Sequence, residues 1–301
     1  MAEQTSLSIF RKRWRKFRTL KRGWYSFLLL TCLYLLSFAN PLLVNSKALV
    51  VSYEGRLHFP VFGTHYEASD FGQKGYIGEA KYRALKKQWE QEGSDNWVIL
   101  PPYPYDPIES LSRYGEGMPF DPPSREHWMG LDDRGRDVFA RLVYGFRVSI
   151  TFALGVVAAS YALGVTVGAI LGFFGGWVDI IAQRFVEIWA GLPFLYTVII
   201  ISSIIQPNLL VLLLLLAIFR WMGISYYIRG EFYREKSKDY VAAAIAQGES
   251  HVSIMFRHVL PNSLTPVVSF APFAIVGAIN SLVALDFLGF GLPAPTPSWG
   301  E

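Results

Sequence analysis

Cysteine is almost absent. Cys32 is the single one in 301 residues, and it lies within an apolar run, so no disulfide framework is built inside the chain. Charged residues make up only 17% of the sequence, too few for the solvated face of a soluble protein of this size. No Gly-x-x-x-x-Gly-Lys-Ser/Thr loop occurs, which excludes the usual way of hydrolysing ATP. His-Glu-x-x-His and Gly-x-Ser-x-Gly are missing too, which weakens a membrane-protease reading. Few carboxylates fall within the apolar runs and no convincing repeat is seen. Both would be expected of a secondary transporter or channel working alone. The first apolar run is too long for a signal-peptide core and no small-x-small site follows it, so a cleaved leader is not expected.

What the chain does have is hydrophobic mass: 52% of residues and a mean hydropathy of +0.28. That combination predicts a polytopic membrane protein with some soluble mass. The net charge of +4 is uneven, with eight Lys and Arg and no acid between Arg11 and Arg22. A patch of this kind can bind nucleic acid. Its place beside a membrane span makes it a topology signal instead, with residues 1–22 in the cytoplasm, lipid as a partner and no nucleic acid.

Five apolar stretches are long enough to span, or nearly span, a bilayer: 23–44, 148–174, 185–205, 209–228 and 264–285. The organisation expected is a basic N-terminus (1–22), a first transmembrane helix (23–45), an external insert (46–145) and a membrane core (146–301). In the insert, 49–53 and 56–62 around Glu54-Gly55 read as a β-hairpin, 79–91 as a surface helix and 96–100 as a strand. Its rings (Trp89, Trp97, Tyr103, Tyr105, Trp128) read as the lobe's own core rather than as a peptide-contacting surface. Asp132 to Asp137 has acids interleaved with Arg134 and Arg136. It lacks the register of a calcium loop, so internal ion pairs are expected. Gly164, Gly168 and Gly172 put three small residues on one face, either as a seam with a partner chain or as packing within this one. Arg184 and Glu187 can pair at i,i+3, and Pro193 is expected to bend the third span.

Between the last two spans lies a polar, helix-forming island from Asp239 to Asn262. Its alanine run favours helix and Gly248 lets the backbone turn. Val252, Met255, Phe256 and Val259 recur at helical spacing as one apolar stripe, and Pro261 is expected to stop the second helix. Two short angled helices on a membrane protein's face make a knob that fits a partner's cleft.

Ala243, Ala244, Gly248, Leu260 and Pro261 match in spacing the "EAA" loop of bacterial ABC importer permeases. Ala242 stands where that family usually has Glu and cannot make that residue's salt bridge. His127-Trp128-Met129-Gly130-Leu131-Asp132-Asp133-Arg134-Gly135-Arg136-Asp137 resembles the family's His-x-x-Gly-x-Asp-x-x-Gly-Arg-Asp run, and Arg147 continues it. The ending from Leu285 to Pro293 and Pro297-Ser298-Trp299-Gly300 resembles that of oligopeptide permeases, with Asp286 in place of Ser. The chain is thus identified as a member of the peptide/nickel permeases. Tyr53 to Gly72 and the Asp-Phe-Leu-Gly-Phe-Gly-Leu-Pro run resemble the Yej-type oligopeptide branch, which also admits microcin C.

The resemblance implies an all-α polytopic inner-membrane protein of the type I permease fold with a small mixed α/β periplasmic insert. It implies an importer of oligopeptides, with dipeptides or nickel as alternative cargo and a self-sufficient secondary transporter or a membrane-anchored receptor as rivals. It assigns ATPase coupling to Tyr240, Ala242, Ala243, Ala244, Gly248, Arg257, Leu260 and Pro261 within a loop at 229–262. Gly130, Asp132, Gly135, Arg136, Asp137 and Arg147 become a structural segment on the outer face. Its partners would be a second permease in a heterodimer, a cytoplasmic ATPase holding ATP and Mg, and a periplasmic peptide-binding protein. This chain itself would hold no cofactor and catalyse nothing. Family members have a sixth span, so one is expected beyond Glu301.

Overall fold

The structure, a computed structural model, describes residues 9–76, 78–205 and 207–300. The chain is mostly helical. The helices are α1 (Ile9–Thr19), α2 (Lys21–Leu36), α3 (Asn40–Leu43), α4 (Tyr82–Glu92), α5 (Val138–Phe174), α6 (Gly176–Ala190), α7 (Phe194–Ile204), α8 (Leu209–Lys236), α9 (Asp239–Ala246), α10 (His251–Ser253), α11 (Leu260–Ser263) and α12 (Thr265–Phe287). Among the described residues four helical stretches are long and apolar enough to cross a membrane: Lys21–Leu43, Val138–Phe174, Leu209–Lys236 and Thr265–Phe287. The expected third span is broken rather than bent. Helices α6 and α7 meet at 71° across Gly191, Leu192 and Pro193, because Pro193 offers no N–H and disfavours helix in the residue before it.

The chain divides into two compact units. One holds Ser149–Pro293 with the N-terminal stretch to Tyr25. Its first core joins Phe152 and Val156 of α5, Val198 of α7, Leu212 and Leu216 of α8, and Ala278, Leu282 and Leu285 of α12. Its second core joins the C-terminal parts of α5 and α8 to the polar island. The glycine stripe decides between its two readings here. Gly164, Gly168 and Gly172 face the backbone of Trp221, Ser225 and Arg229 on α8, and a Cβ added at Gly168 would stand 2.5 Å from the Ser225 carbonyl oxygen. The stripe is the α5–α8 seam, where close backbone approach supplies the packing that apolar solvent does not. Gly175 (φ +63°) and Gly176 (φ +55°) turn the chain from α5 into α6.

The other unit holds Ser26–Val148 and Ala294–Trp299. Here β1 (Val50–Tyr53) pairs antiparallel with β2 (Arg56–His58) and β3 (Trp97–Ile99) in the order β2-β1-β3. Val51 stands opposite both His58 and Val98 and is fully buried with Phe71, Leu85 and Trp89. Strand β2 stops at His58 because Pro60 opens a 3-10 turn. Of the rings expected in the lobe's core, Trp89 and Tyr103 are buried. Trp97 and Trp128 remain 44% and 56% exposed, Trp97 because it alternates outward from Val98 along β3.

Candidate functional site

Two places gather the residues singled out in the sequence. The first is the polar island. Helix α8 runs two turns past its expected end, to Lys236, and α9 follows after a break at Ser237 and Lys238. Gly248 then sits at φ +76°, a left-handed conformation costly for any residue with a Cβ. Ser250 caps α10, its hydroxyl accepting from the Ser253 N–H at 3.3 Å. A π-helical stretch, Ile254–Val259, carries the chain into α11. Pro261 does not stop this helix: it occupies the first turn of α11, where a missing N–H leaves nothing unpaired.

The expected apolar stripe is split. Val241, Ala244, Ile254, Met255 and Val259 are buried against Ala169, Phe173, Ile228 and Phe232 of α5 and α8. Val252 and Phe256 point the other way, 65% and 49% exposed. The wide π turn shifts the register, so a simple 3.6-residue count merges two faces that the structure separates. Ala242, Ala243, Gly248 and Arg257 are exposed, while Tyr240, Leu260 and Pro261 are half-buried at the base.

Polar contacts fix this shape. The Glu235 carboxylate, at the end of α8 and nearly fully buried, accepts from Lys238 Nζ (2.7 Å) and Tyr240 Oη (2.9 Å). Burial, and then this carboxylate, push the Tyr240 phenol up to about 12. Glu249 accepts from Ser253 Oγ (2.8 Å) and lies 2.9 Å from His258 Nε2. Those two contacts, Ser253 first, hold Glu249 below the usual glutamate range. The Glu249–His258 pair joins the turn after Gly248 to the π stretch; Ala242, on the exposed face, has no polar side-chain atom with which to make such a tie. Above the island, Asp179 of α6 accepts from Arg229 Nε (2.6 Å) and Nη2 (2.5 Å) and from Tyr233 Oη (2.7 Å), clamping α6 to α8.

The second place is the acid–arginine run before α5. Gly130 (φ +76°) and Gly135 (φ +68°) make its turns. Asp132 accepts from the Arg136 N–H (2.8 Å), Arg136 Nε (2.7 Å) and the Arg134 N–H (2.9 Å). Burial alone would raise the Asp132 carboxyl, but these hydrogen bonds outweigh it and hold it below the ordinary aspartate range. Asp137, fully buried, accepts from Tyr103 Oη (2.7 Å) and the Ala140 N–H (2.8 Å), and lies 2.9 Å from His127 Nδ1. It thereby satisfies a free amide at the start of α5. Arg147, ten residues further along the chain, lies over the rings of Tyr144 (5.5 Å) and Phe38 (5.8 Å). Among the described residues no cluster of His, Cys, Asp or Glu has metal-binding geometry.

A reactive constellation is absent from both places; one is a shaped, partly apolar knob and the other a hydrogen-bonded brace. Residues 164–301 match the family described as binding-protein-dependent transport system inner membrane component. The chain is 40% identical over 292 residues to the inner membrane ABC transporter permease protein YejE of Escherichia coli (strain K12), covering 96% of this chain and 84% of that protein. It is 38% identical over 315 residues to the peptidoglycan transport system permease protein YejE of Agrobacterium fabrum (strain C58), covering 97% and 81%. The dipeptide transport system permease protein DppC of Alkalihalophilus pseudofirmus is 36% identical over 200 residues, 65% of this chain and 66% of that one. The chain belongs to this family of inner-membrane ABC transporter permeases.

Sequence reasoning missed Glu235, the Asp179–Arg229–Tyr233 clamp and, within α8, Arg220. Glu235 could have been found as an acid among the bases that end α8.

Proposed function

We infer that the chain is the transmembrane subunit of an ATP-driven importer of short peptides, working with a second permease, a cytoplasmic ATPase and a binding protein outside the inner membrane. The observation that carries this reading is the near full-length similarity to a permease named for peptidoglycan transport, joined by similarity over about two thirds of the chain to one named for dipeptide transport. The reading takes the fold as that of a type I permease; the basic N-terminal helix and the positive-inside rule support an orientation with the β1–β3 lobe on the periplasmic side and the island on the cytoplasmic side. The island is the ATPase-docking knob. Its buried face ties it to α5 and α8, and its exposed Val252 and Phe256 are apolar side chains for a partner's cleft. Nucleotide-driven closure of the ATPases moves the knob, and the packed seam with α5 and α8 carries that motion into the spans.

The test uses the assembled importer in membranes. Phe256→Asp puts a charge on the exposed face without touching either core. Retention of the ATPase on the purified permease and ATP-dependent peptide uptake are both expected to fall at least about tenfold, with insertion unchanged. Full uptake and ATPase retention by this variant would contradict the docking role.

A further inference from the structure

Arg220 lies about 17 Å along α8 from Leu209, at 1.5 Å per residue, which is near the middle of a hydrocarbon core about 30 Å thick. Charge at that depth is costly and in membrane proteins marks a pairing site or a polar path. Among the described residues no carboxylate comes within ion-pair distance of Arg220. Its Nη2 donates to the Gly277 carbonyl (2.6 Å) and to Ser281 Oγ (2.7 Å) on α12. Its Nε and Nη1 donate to no group among the described residues. Gly277 makes room for this arrangement, since a Cβ there would stand 2.9 Å from Nη1.

Arg220 lines two cavities of about 270 Å³ each and is the one residue common to both. On one side the wall is Phe194, Phe219 and Leu192. On the other it is Tyr161, Tyr227 and Phe270, with Tyr227 stacked on Phe270 at 4.3 Å. Arg220 is the only acid or base in either lining besides tyrosines. A planar cation held by two neutral acceptors, beside apolar and aromatic cavity walls and with donors left unused, has the chemistry of a carboxylate receptor.

We propose that Arg220 is a substrate-contacting residue that receives a carboxylate of the cargo midway across the membrane, with the aromatic walls taking neighbouring apolar groups. The proposal rests on the peptide-importer reading. The carboxylate comes either from a peptide's C-terminus or from an acidic side chain. The rival is a purely structural Arg220 that cross-links α8 to α12.

The assembled importer in vesicles is given three tetrapeptide pools randomised without Asp or Glu: free C-terminus, C-terminal amide, and the amide with one glutamate added. Wild-type and Arg220→Gln uptake are compared for each pool by mass spectrometry, with ATPase retention as the check on assembly. Arg220→Gln is expected to cut uptake of carboxylate-bearing pools by about tenfold more than that of the neutral amide. A selective loss for the free-acid pool assigns the C-terminus, and a loss shared with the glutamate pool assigns any carboxylate. Arg220→Lys, which keeps the charge but loses the fork, should fall between the two. If Arg220→Gln does not assemble, Ser281→Ala, which frees one anchor of the guanidinium, should shift the ratio of free-acid to amide uptake. Equal losses for all three pools, or none, would overturn the proposal while leaving the importer reading intact. Absence of ATP-dependent uptake of any pool by the wild type would overturn the importer reading and this proposal together.

Discussion

Among single side chains, Asp179 makes the clearest case for reading function from contacts. It has Arg229 and Tyr233 as partners on α8, and only its own backbone ties it to the inner turn. Asp179→Asn keeps the shape but removes the charge that both donors use, and a loss of about 2 kcal/mol is expected for this partly exposed clamp. A lowered thermal midpoint of the purified permease checks it. Asp132 gives a pH prediction with a definite sign. Its folded pKa lies below the ordinary value of 3.8, so its stabilisation is complete above about pH 4 and is lost as the pH falls through the lower folded value. Hydrogen exchange of residues 130–141 should therefore rise on acidification below pH 4, and Asp132→Asn should remove that acid dependence. The Asp132–Arg136 pair is legible in the sequence because its members lie four positions apart in one run. The Asp179–Arg229 clamp is not, because fifty positions separate its ends and only the α6–α8 packing brings them together.

Elements differ in how far local chemistry decides them. Gly248 was readable as a turn, and its φ of +76° fits that reading. Nothing lies within 4 Å of a Cβ built there, so substitution is opposed by backbone strain rather than by a clash. Gly248→Val should then uncouple uptake from ATP hydrolysis through a distorted turn. Gly248→Asn, which tolerates the left-handed region, should retain most of both; paired uptake and hydrolysis rates distinguish them. The π stretch at Ile254–Val259 was not readable, since its wide turn depends on burying Ile254, Met255 and Val259 together against α5 and α8. Pro261 and Pro193 show the same limit in opposite directions. Proline is tolerated in the first turn of α11 but separates α6 from α7, and the difference lies in what precedes each one. The glycine stripe of α5 was legible as a seam but not as a seam with α8. Gly168→Leu should abolish accumulation of the folded permease, since it drives a side chain into the Ser225 carbonyl.

At the scale of the whole molecule, composition and five apolar stretches made the membrane class legible, and short motifs made the family legible. The Arg220 site was not legible, because an arginine inside an apolar run has meaning only once α12 and the two cavities stand around it. The permease has shaped surfaces and discrete packed seams, but no nucleotide loop and no reactive cluster among its described residues. In the proposed function, motion is delivered to it by a partner ATPase. The most direct measurement is peptide uptake into vesicles holding the purified chain with its second permease and binding protein, with and without the partner ATPase and ATP. Uptake is expected only when ATPase and ATP are both present. Accumulation of peptide against a gradient without them would contradict the claim that this chain is driven from its cytoplasmic knob.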